Sequence, residues 1–206
     1  MSDDFSVDAN DVLRDSVLFK VFDCDRLIGA LQLTSEINRF MNLLSKLKLT
    51  KVLEIGTCDG GTLYAWTKVA EVGAKIITID LPDTYTDSNM QIFESFGVPK
   101  QQNIHLVRGD SHSSKTIKMV NDILNGDKLD FLFIDGDHSY KGIKQDFEMY
   151  SPLVKKGGII SMHDIVLTER NEVPIFWNEI KKNYKYEEIM ENPNQHGYGI
   201  GIIEAK

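Results

Sequence analysis

Four polar residues stand directly after two apolar runs in the second half of the chain. Asp135 and His138 follow the first run, and His163 and Asp164 follow the second. If both runs are parallel strands of one open sheet, their carboxyl ends meet at the same edge. Two carboxylates suit Mg²⁺, Ca²⁺ or Mn²⁺, and an imidazole ligand would favour Mn²⁺, Fe²⁺ or Zn²⁺. We expect a divalent cation here, Mg²⁺ or Mn²⁺ first, with Asp135, His163 and Asp164 as its ligands.

A second group of polar residues surrounds a glycine-rich turn at residues 54–60, Glu-Ile-Gly-Thr-Cys-Asp-Gly. The apolar run before the turn predicts a buried strand, and a helical pattern follows it. Gly56 and Gly60 lack a Cβ, so the backbone can turn sharply and a ligand can lie against it, while the start of the helix offers free amide donors. We therefore expect Gly56, Thr57, Asp59 and Gly60 to contact a cofactor.

One acid and one missing glycine indicate which ligand this turn would hold. A dinucleotide-binding turn needs its second glycine where Cys58 stands. Glu54 would repel phosphates, but its carboxylate could accept hydrogen bonds from an ammonium group, such as that of S-adenosylmethionine. Two alternatives stay open at this point: a tight turn without a ligand, and a nicotinamide cofactor, which Cys58 disfavours.

Another acid ends the next predicted strand. Asp80 stands about 20 residues beyond the glycine turn, where folds of this type place a carboxylate on ribose hydroxyls. We expect Asp80 and its neighbour Leu81 to contact the adenosine part of the cofactor.

The elements that position these residues alternate along the chain. The order predicts an α/β, Rossmann-like fold with a mostly parallel seven-stranded sheet, helices on both faces and a C-terminal antiparallel hairpin. We expect Thr34 to cap the first helix, and Gly157 and Gly158 to stop the fifth. Strands are predicted at 52–55, 75–80, 103–107, 129–134, 159–162, 186–190 and 198–204, and helices at 35–47, 62–72, 88–96, 117–124, 140–156 and 174–184.

The glycine turn resembles the first motif of the class I S-adenosylmethionine-dependent methyltransferases. The segment 133–140, taken with residues 157–160 and His163-Asp164, is similar to the group that contains the cephamycin-biosynthesis methyltransferase and metal-dependent sugar O-methyltransferases. The resemblance extends from about Gln32 to the carboxyl end. Catechol O-methyltransferase is a more distant likeness, with a lysine where His138 stands. The group places an acid or amide beside the second aspartate, whereas His163 and Ile165 flank Asp164 here, so the third metal ligand is open.

This resemblance implies roles for several residues. Asp135 would hold the divalent cation beside the cofactor, and His138 would be the general base. Asp110 would accept a hydrogen bond from the exocyclic amine of adenine, with Ser111 and His112 bordering the ring. The implied activity is metal-assisted O-methylation of a small hydroxylated molecule, a sugar or natural product, with S-adenosylmethionine as donor. A nicotinamide-dependent oxidoreductase and a non-catalytic adenosylmethionine-binding protein are the alternatives.

Composition limits the class of partner and the compartment. The formal net charge is −8 and the pI is about 5.1, which opposes binding to nucleic acid or to an anionic membrane. Two cysteines, no signal pattern and no long apolar run favour a cytoplasmic protein. We expect one methyltransferase domain over 1–206, with 1–33 as a leader and N-terminal segment and 34–206 as the core; a homo-oligomer is possible. Residues 29–32 are expected to border the ligand.

Overall fold

A computed structural model describes residues 21–23, 26–28, 32–169 and 171–206 of the chain. Its centre is a seven-stranded sheet with the order β5-β4-β3-β6-β7-β9-β8. These strands are β3 Lys51–Ile55, β4 Lys75–Asp80, β5 Asn103–Arg108, β6 Leu129–Ile134, β7 Val154–His163, β8 Tyr186–Ile189 and β9 Ile200–Glu204, and a separate antiparallel pair is formed by β1 Val21–Asp23 and β2 Arg26–Ile28. The helices are α1 Thr34–Leu44, α2 Gly61–Val69, α3 Asp87–Ser95, α4 Ser114–Leu124, α5 Tyr140–Tyr150 and α6 Val173–Ile180.

The pairing of the strands confirms the predicted fold class. Strands β5, β4, β3, β6 and β7 are parallel neighbours, and β9 pairs antiparallel with both β7 and β8. The chain leaves β3 toward β4 on one side and returns later to β6 on the other side. This reversal opens a crevice at the carboxyl ends of β3 and β6, which is where open α/β sheets bind their ligands.

Alternating side chains of the central strands build two cores. All six residues of β6 are buried. Phe131 and Phe133 pack with Phe40 of α1 and Trp66 of α2 on one face, with ring centroids 4.9–6.4 Å apart. Leu132 and Ile134 face the opposite core, which α4, α5 and α6 cover. Because successive strand residues point to opposite faces, one apolar run holds a layer of helices on each side.

The end of α5 differs from the prediction. The helix ends at Tyr150, a single 3₁₀ turn follows at Ser151–Leu153, and β7 has already begun at Val154. Pro152 cannot donate a hydrogen bond to continue the helix. The two glycines therefore lie inside the strand: Gly157 has a φ of +76° and the β6–β7 register shifts next to it, so they bend β7 rather than stop a helix.

The other observed ends of helices and strands lie within a few residues of the predicted ones, and two helix ends differ in detail. Thr34 is the first residue of α1 and does not cap it; the cap position is Leu33, which makes no side-chain cap bond. Helix α6 ends at Ile180 and continues as a 3₁₀ turn to Asn183.

The predicted leader lies largely outside the described residues, as do residues 29–31 of the segment expected to border the ligand. Whether 1–206 forms one domain stays a prediction. Among the described residues, every helix is too short or too polar to cross a bilayer.

Candidate active site

Two cavities adjoin at the carboxyl edge of the sheet. The first, of about 720 Å³, follows the ends of β3, β4, β5 and β6, and we call it the donor cavity after the cofactor expected there from the sequence. The second, of about 490 Å³, lies between the ends of β3, β6 and β7 and the loop before β9, and we call it the acceptor cavity after the hydroxylated molecule expected there. Gly56, Cys58 and Asp135 line both. The predicted site residues in the donor cavity are Gly56, Asp59, Asp80, Leu81, Asp110, Ser111, His112 and Asp135, and those in the acceptor cavity are Gly56, Thr57, Asp135, His138, His163 and Asp164.

The two glycines of the turn are required by protein contacts. Gly56 has a φ of +95°, and a Cβ on it would collide with the carbonyl oxygen of Asp135. Gly60 has a φ of +79°, and a Cβ there would collide with the ring of Phe93. Gly60 lines neither cavity, so the structure does not place it against a ligand. Its absence of a side chain lets α3 pack on the turn.

Asp80 fastens the glycine turn to the end of β4. One carboxylate oxygen accepts hydrogen bonds from the backbone N–H of Thr57 (2.9 Å) and of Cys58 (2.8 Å). The other accepts from the N–H of Leu81 (2.7 Å) and the hydroxyl of Thr84 (2.9 Å). Asp80 lines the donor cavity, but ribose hydroxyls would have to compete with these four donors.

Glu54 supports the turn from inside the protein. Its side chain is 0% exposed and accepts hydrogen bonds from Trp66 Nε1 (2.7 Å) and Thr78 Oγ1 (2.8 Å). The Thr78 hydroxyl in turn contacts that of Thr57, which also meets the Tyr85 hydroxyl. Burial raises the pKa of Glu54 to about 8. Glu54 reaches neither cavity, so the expected direct bond from a ligand's ammonium group does not fit this geometry.

Asp135, His138 and Asp164 form a compact cluster at the junction of the cavities. His138 Nε2 lies 3.2 Å from Asp135 Oδ1, and its Nδ1 lies 3.3 Å from Asp164 Oδ2. One ligand atom from each residue lies within 4.8 Å of the others. Two carboxylates and one imidazole fit a divalent cation such as Mn²⁺, Fe²⁺ or Zn²⁺.

The carboxylates and imidazoles of this cluster stabilise each other's charged forms and shift each other's pKa. Burial alone would raise the pKa of Asp135, but His163 and His138 outweigh it and lower that pKa to about 2. The hydrogen bond with Asp135 raises the pKa of His138 against the effect of burial. Asp164 has a φ of +60°, a strained backbone that Asn171 holds by donating to its carbonyl oxygen (2.6 Å).

His163 lies beside this cluster at the end of β7. It is buried and lines the acceptor cavity, its Nδ1 lies 3.2 Å from Asp135 Oδ1 and 3.5 Å from Asp164 Oδ1, and its ring packs near Phe133 and Tyr198. The group whose ligand atoms converge within 4.8 Å contains His138 and not His163. His163 as a metal ligand therefore stays a prediction, and its contact orients the Asp135 carboxylate.

The turn after β5 forms the far wall of the donor cavity. Asp110 Oδ1 accepts a hydrogen bond from the backbone N–H of His112 (2.8 Å), and the His112 ring lies 3.2 Å from both Gly142 O and Asp146 Oδ1. The sequence reasoning missed Asp146. An acid at helical spacing between Ile143 and Tyr150, on the apolar face of α5, was the available signal.

Four further side chains contribute to the acceptor cavity. Gln32 Nε2 donates to Asp135 Oδ2 (3.2 Å), which agrees with the expectation that the end of segment 29–32 borders the site. Thr168, His196 and Tyr198 also line it. They lie in the irregular loops after β7 and β8; the sequence indicates that these loops shape the pocket, but no spacing rule predicts which of their side chains line it.

A sheet with this strand order, five parallel strands and an antiparallel β9 beside β7, is the class I methyltransferase fold. The methyltransferase-domain family model matches residues 53–165, more than half of the chain. The chain belongs to this family of methyltransferase domains, which confirms the predicted family.

Similar proteins fit this assignment. An uncharacterized protein, R132, of Acanthamoeba polyphaga mimivirus is 31% identical over 60% of this chain and 54% of its own length. Probable caffeoyl-CoA O-methyltransferase 1 of Dictyostelium discoideum is 25% identical over 79% of this chain and 68% of its own. The O-methyltransferase TomG of Streptomyces achromogenes, solved in complex with S-adenosylmethionine, has a TM-score of 0.61 at 16% identity and covers 82% of this chain and 80% of its own. The chain thus spans about half the length of the mimivirus relative.

Proposed function

We propose that this protein transfers a methyl group from S-adenosylmethionine to a hydroxyl group of a small molecule, with a divalent cation at the acceptor. One observation carries the proposal: the donor and acceptor cavities share Gly56, Cys58 and Asp135, and the Asp135–His138–Asp164 cluster stands at that junction. An acceptor hydroxyl there would lie within reach of a methyl group in the donor cavity.

The donor cavity would hold the adenosine part along the strand ends. S-adenosylmethionine, when bound, supplies a methyl group already activated on a sulfonium centre. Asp80 would border the ribose while it keeps the turn in shape, and exposed Leu81 offers an apolar surface to the purine. Asp110, Ser111 and His112 would border the adenine end. Glu54 acts at a distance, through Thr78 and Thr57.

The acceptor cavity would bind and orient the hydroxyl. A divalent cation held by Asp135, His138 and Asp164 would lower the pKa of a coordinated hydroxyl. His163 and Gln32 fix the direction of the Asp135 carboxylate. Both ring nitrogens of His138 face carboxylates. His138 could therefore act as the base implied by the resemblance only after one of its ring nitrogens leaves its carboxylate partner and becomes free to accept a proton.

The lining of the acceptor cavity favours an uncharged, hydroxylated acceptor such as a sugar or natural product. Its polar groups are hydroxyls, an amide and imidazoles beside two carboxylates, and the described residues that line either cavity include no lysine or arginine. The Dictyostelium relative is named for a coenzyme A thioester, whose phosphates would meet no lysine or arginine among the described residues of this lining.

Turnover against an acceptor panel tests this proposal. Purified protein and S-adenosylmethionine are incubated with sugars, catechols and phenolic natural products, with Mn²⁺, with Mg²⁺ or with a chelator. We expect methylation of a hydroxyl that falls at least tenfold with chelator and returns with added cation, since cation activation is worth several kcal/mol. Methylation that ignores the chelator would contradict the cation role. Tight S-adenosylhomocysteine binding without turnover on any acceptor would favour the non-catalytic alternative.

A further inference from the structure

Asp146 is a buried carboxylate that the chemistry above does not use. It lies on the apolar face of α5 and is 0% exposed, and its oxygens face the side chains of Ser111 and His112. Its Oδ1 lies 3.2 Å from His112 Nε2. A buried carboxylate is costly to keep unless a charged partner stabilises it, so the pair with His112 calls for an explanation.

Helix α5 is the support behind the donor-cavity wall. The Tyr150 hydroxyl donates to the carbonyl oxygen of Ser111 (2.7 Å), and Gln145 Nε2 donates to that of His112 (3.4 Å). The His112 ring meets the carbonyl oxygen of Gly142 as well as Asp146. These contacts from α5 therefore fall on two residues, Ser111 and His112, that line the donor cavity.

The surroundings of Asp146 leave the His112 ring as the one neighbouring side chain, among the described residues, that can offset its negative charge. The other titratable groups that face Asp146 are Asp110 in the same turn, Asp137 after β6 and Tyr150 on α5, and none of them carries a positive charge. Burial raises the pKa of Asp146 to about 6, while Ser111 and His112 act in the opposite direction. The pair is shielded from solvent on the Asp146 side, which strengthens its attraction.

We propose that Asp146 is a positioning residue of the donor site: by pairing with His112 it holds the 109–113 turn in the conformation that forms the wall of the donor cavity. Asp146 lines neither cavity, so it acts through His112 and does not touch the cofactor. This proposal rests on the proposed binding of S-adenosylmethionine in that cavity.

Calorimetric titration with S-adenosylhomocysteine tests the pair through a double-mutant cycle. Asp146→Asn and His112→Ala should each weaken binding by roughly tenfold, and the double variant should bind no more weakly than His112→Ala alone. Asp146→Asn removes a buried carboxyl without changing its shape, so its melting temperature near neutral pH should not fall. Glu148→Gln, an exposed acid on the same helix, is the control and should bind as wild type.

The pH profile gives a readout that a merely structural role would not change. Wild-type affinity should fall as the pH drops below about 6, because protonation of Asp146 removes the negative charge that the His112 ring faces. This inflection should vanish in His112→Ala, which tests the pair even if Asp146→Asn does not fold. Wild-type affinity in Asp146→Asn, an equal further loss in the His112→Ala background, or an unchanged inflection in His112→Ala would overturn the proposal. A wild-type protein that does not bind S-adenosylhomocysteine would instead remove the donor-site assignment, and this proposal with it.

Discussion

Glu54 shows how a single buried carboxyl group shapes the glycine turn without touching a ligand. Its oxygens accept hydrogen bonds from Trp66 and Thr78, and the Thr78 hydroxyl extends this network to Thr57. Complete burial raises its pKa to about 8, so the side chain holds a proton at neutral pH. This network holds the Thr57 side chain from the buried side of the turn, while Asp80 holds the backbone N–H groups of Thr57 and Cys58.

The raised pKa of Glu54 predicts how stability changes with pH. Between the ordinary value of 4.5 and about 8, the folded state binds a proton that the unfolded state has lost. The free energy of unfolding therefore falls as pH rises through this window, by at most about 1.4 kcal/mol per pH unit from this group. Glu54→Gln cannot titrate, so its stability relative to wild type should rise between about pH 5 and about pH 8.

Urea unfolding of both proteins at several pH values measures this difference. Exposed Glu94→Gln is the matched control and should follow the wild-type curve. Parallel curves for wild type and Glu54→Gln would show that the carboxyl group is ionised in the folded state.

For individual residues, the sequence predicted which side chains lie close together better than it predicted their hydrogen-bond and ion-pair partners. Asp135 and Asp164 could be placed together because each ends a parallel strand, and parallel strand ends share an edge. The partners of Glu54 and Asp146 could not be predicted, because Trp66 and His112 reach them only through tertiary packing. The choice between His138 and His163 as the third ligand depends on side-chain direction at the end of β7, which the spacing does not encode.

Helix α1 and the loop before β9 are joined by hydrogen bonds to one buried side chain of the helix. Glu36 is 0% exposed and accepts hydrogen bonds from Glu191 N (3.0 Å), Gln195 Nε2 (2.6 Å) and Gly199 N (2.9 Å). Three successive residues of this loop, 197–199, have φ between +60° and +84°, and two of them line the acceptor cavity. A single carboxylate thus holds a strained wall of the acceptor cavity in place.

Glu36→Gln should loosen this wall while leaving the donor cavity intact. Its amide group can accept from only part of the three donors, so we expect a loss of roughly 1–3 kcal/mol in stability and faster amide exchange at Glu191 and Gly199. Affinity for S-adenosylhomocysteine should stay within about twofold of wild type, since the donor cavity lies on other strands.

Hydrogen exchange and calorimetry on the same samples check this prediction. Ser35→Ala removes only an exposed side-chain bond to Glu191 and should change neither quantity. Wild-type exchange at both amides in Glu36→Gln would show that the loop does not depend on Glu36.

The boundary between α5 and β7 shows why element ends were harder to predict than elements. Two glycines after a helical pattern usually mark a helix end, but here Pro152 ends the helical run earlier. Gly158 instead lets β7 pass close to β6, since a Cβ there would lie 3.0 Å from the carbonyl oxygen of Asp130. This requirement of the strand pairing is invisible in the sequence of either segment.

Over the whole molecule, the reversal of strand order between β3 and β6 decides where the chemistry can occur. Strands β4 and β5 extend the donor cavity to one side, and β7 with the loop before β9 encloses the acceptor cavity on the other. Residues as far apart in the sequence as Gln32 and Tyr198 therefore line the same cavity. The alternation of strands and helices predicted this architecture, because each element carried its own apolar pattern.

Calorimetric titration with Mn²⁺, in the presence of S-adenosylhomocysteine and without any acceptor, tests the cation site most directly. We expect one site in the wild-type protein and an affinity loss of at least about thirtyfold in Asp164→Asn. The loss in His138→Ala should be larger than in His163→Ala, since His138 belongs to the group of converging ligand atoms. Affinity for S-adenosylhomocysteine should be unchanged in all three variants. Undiminished Mn²⁺ binding in Asp164→Asn would contradict a cation site at the junction of the two cavities.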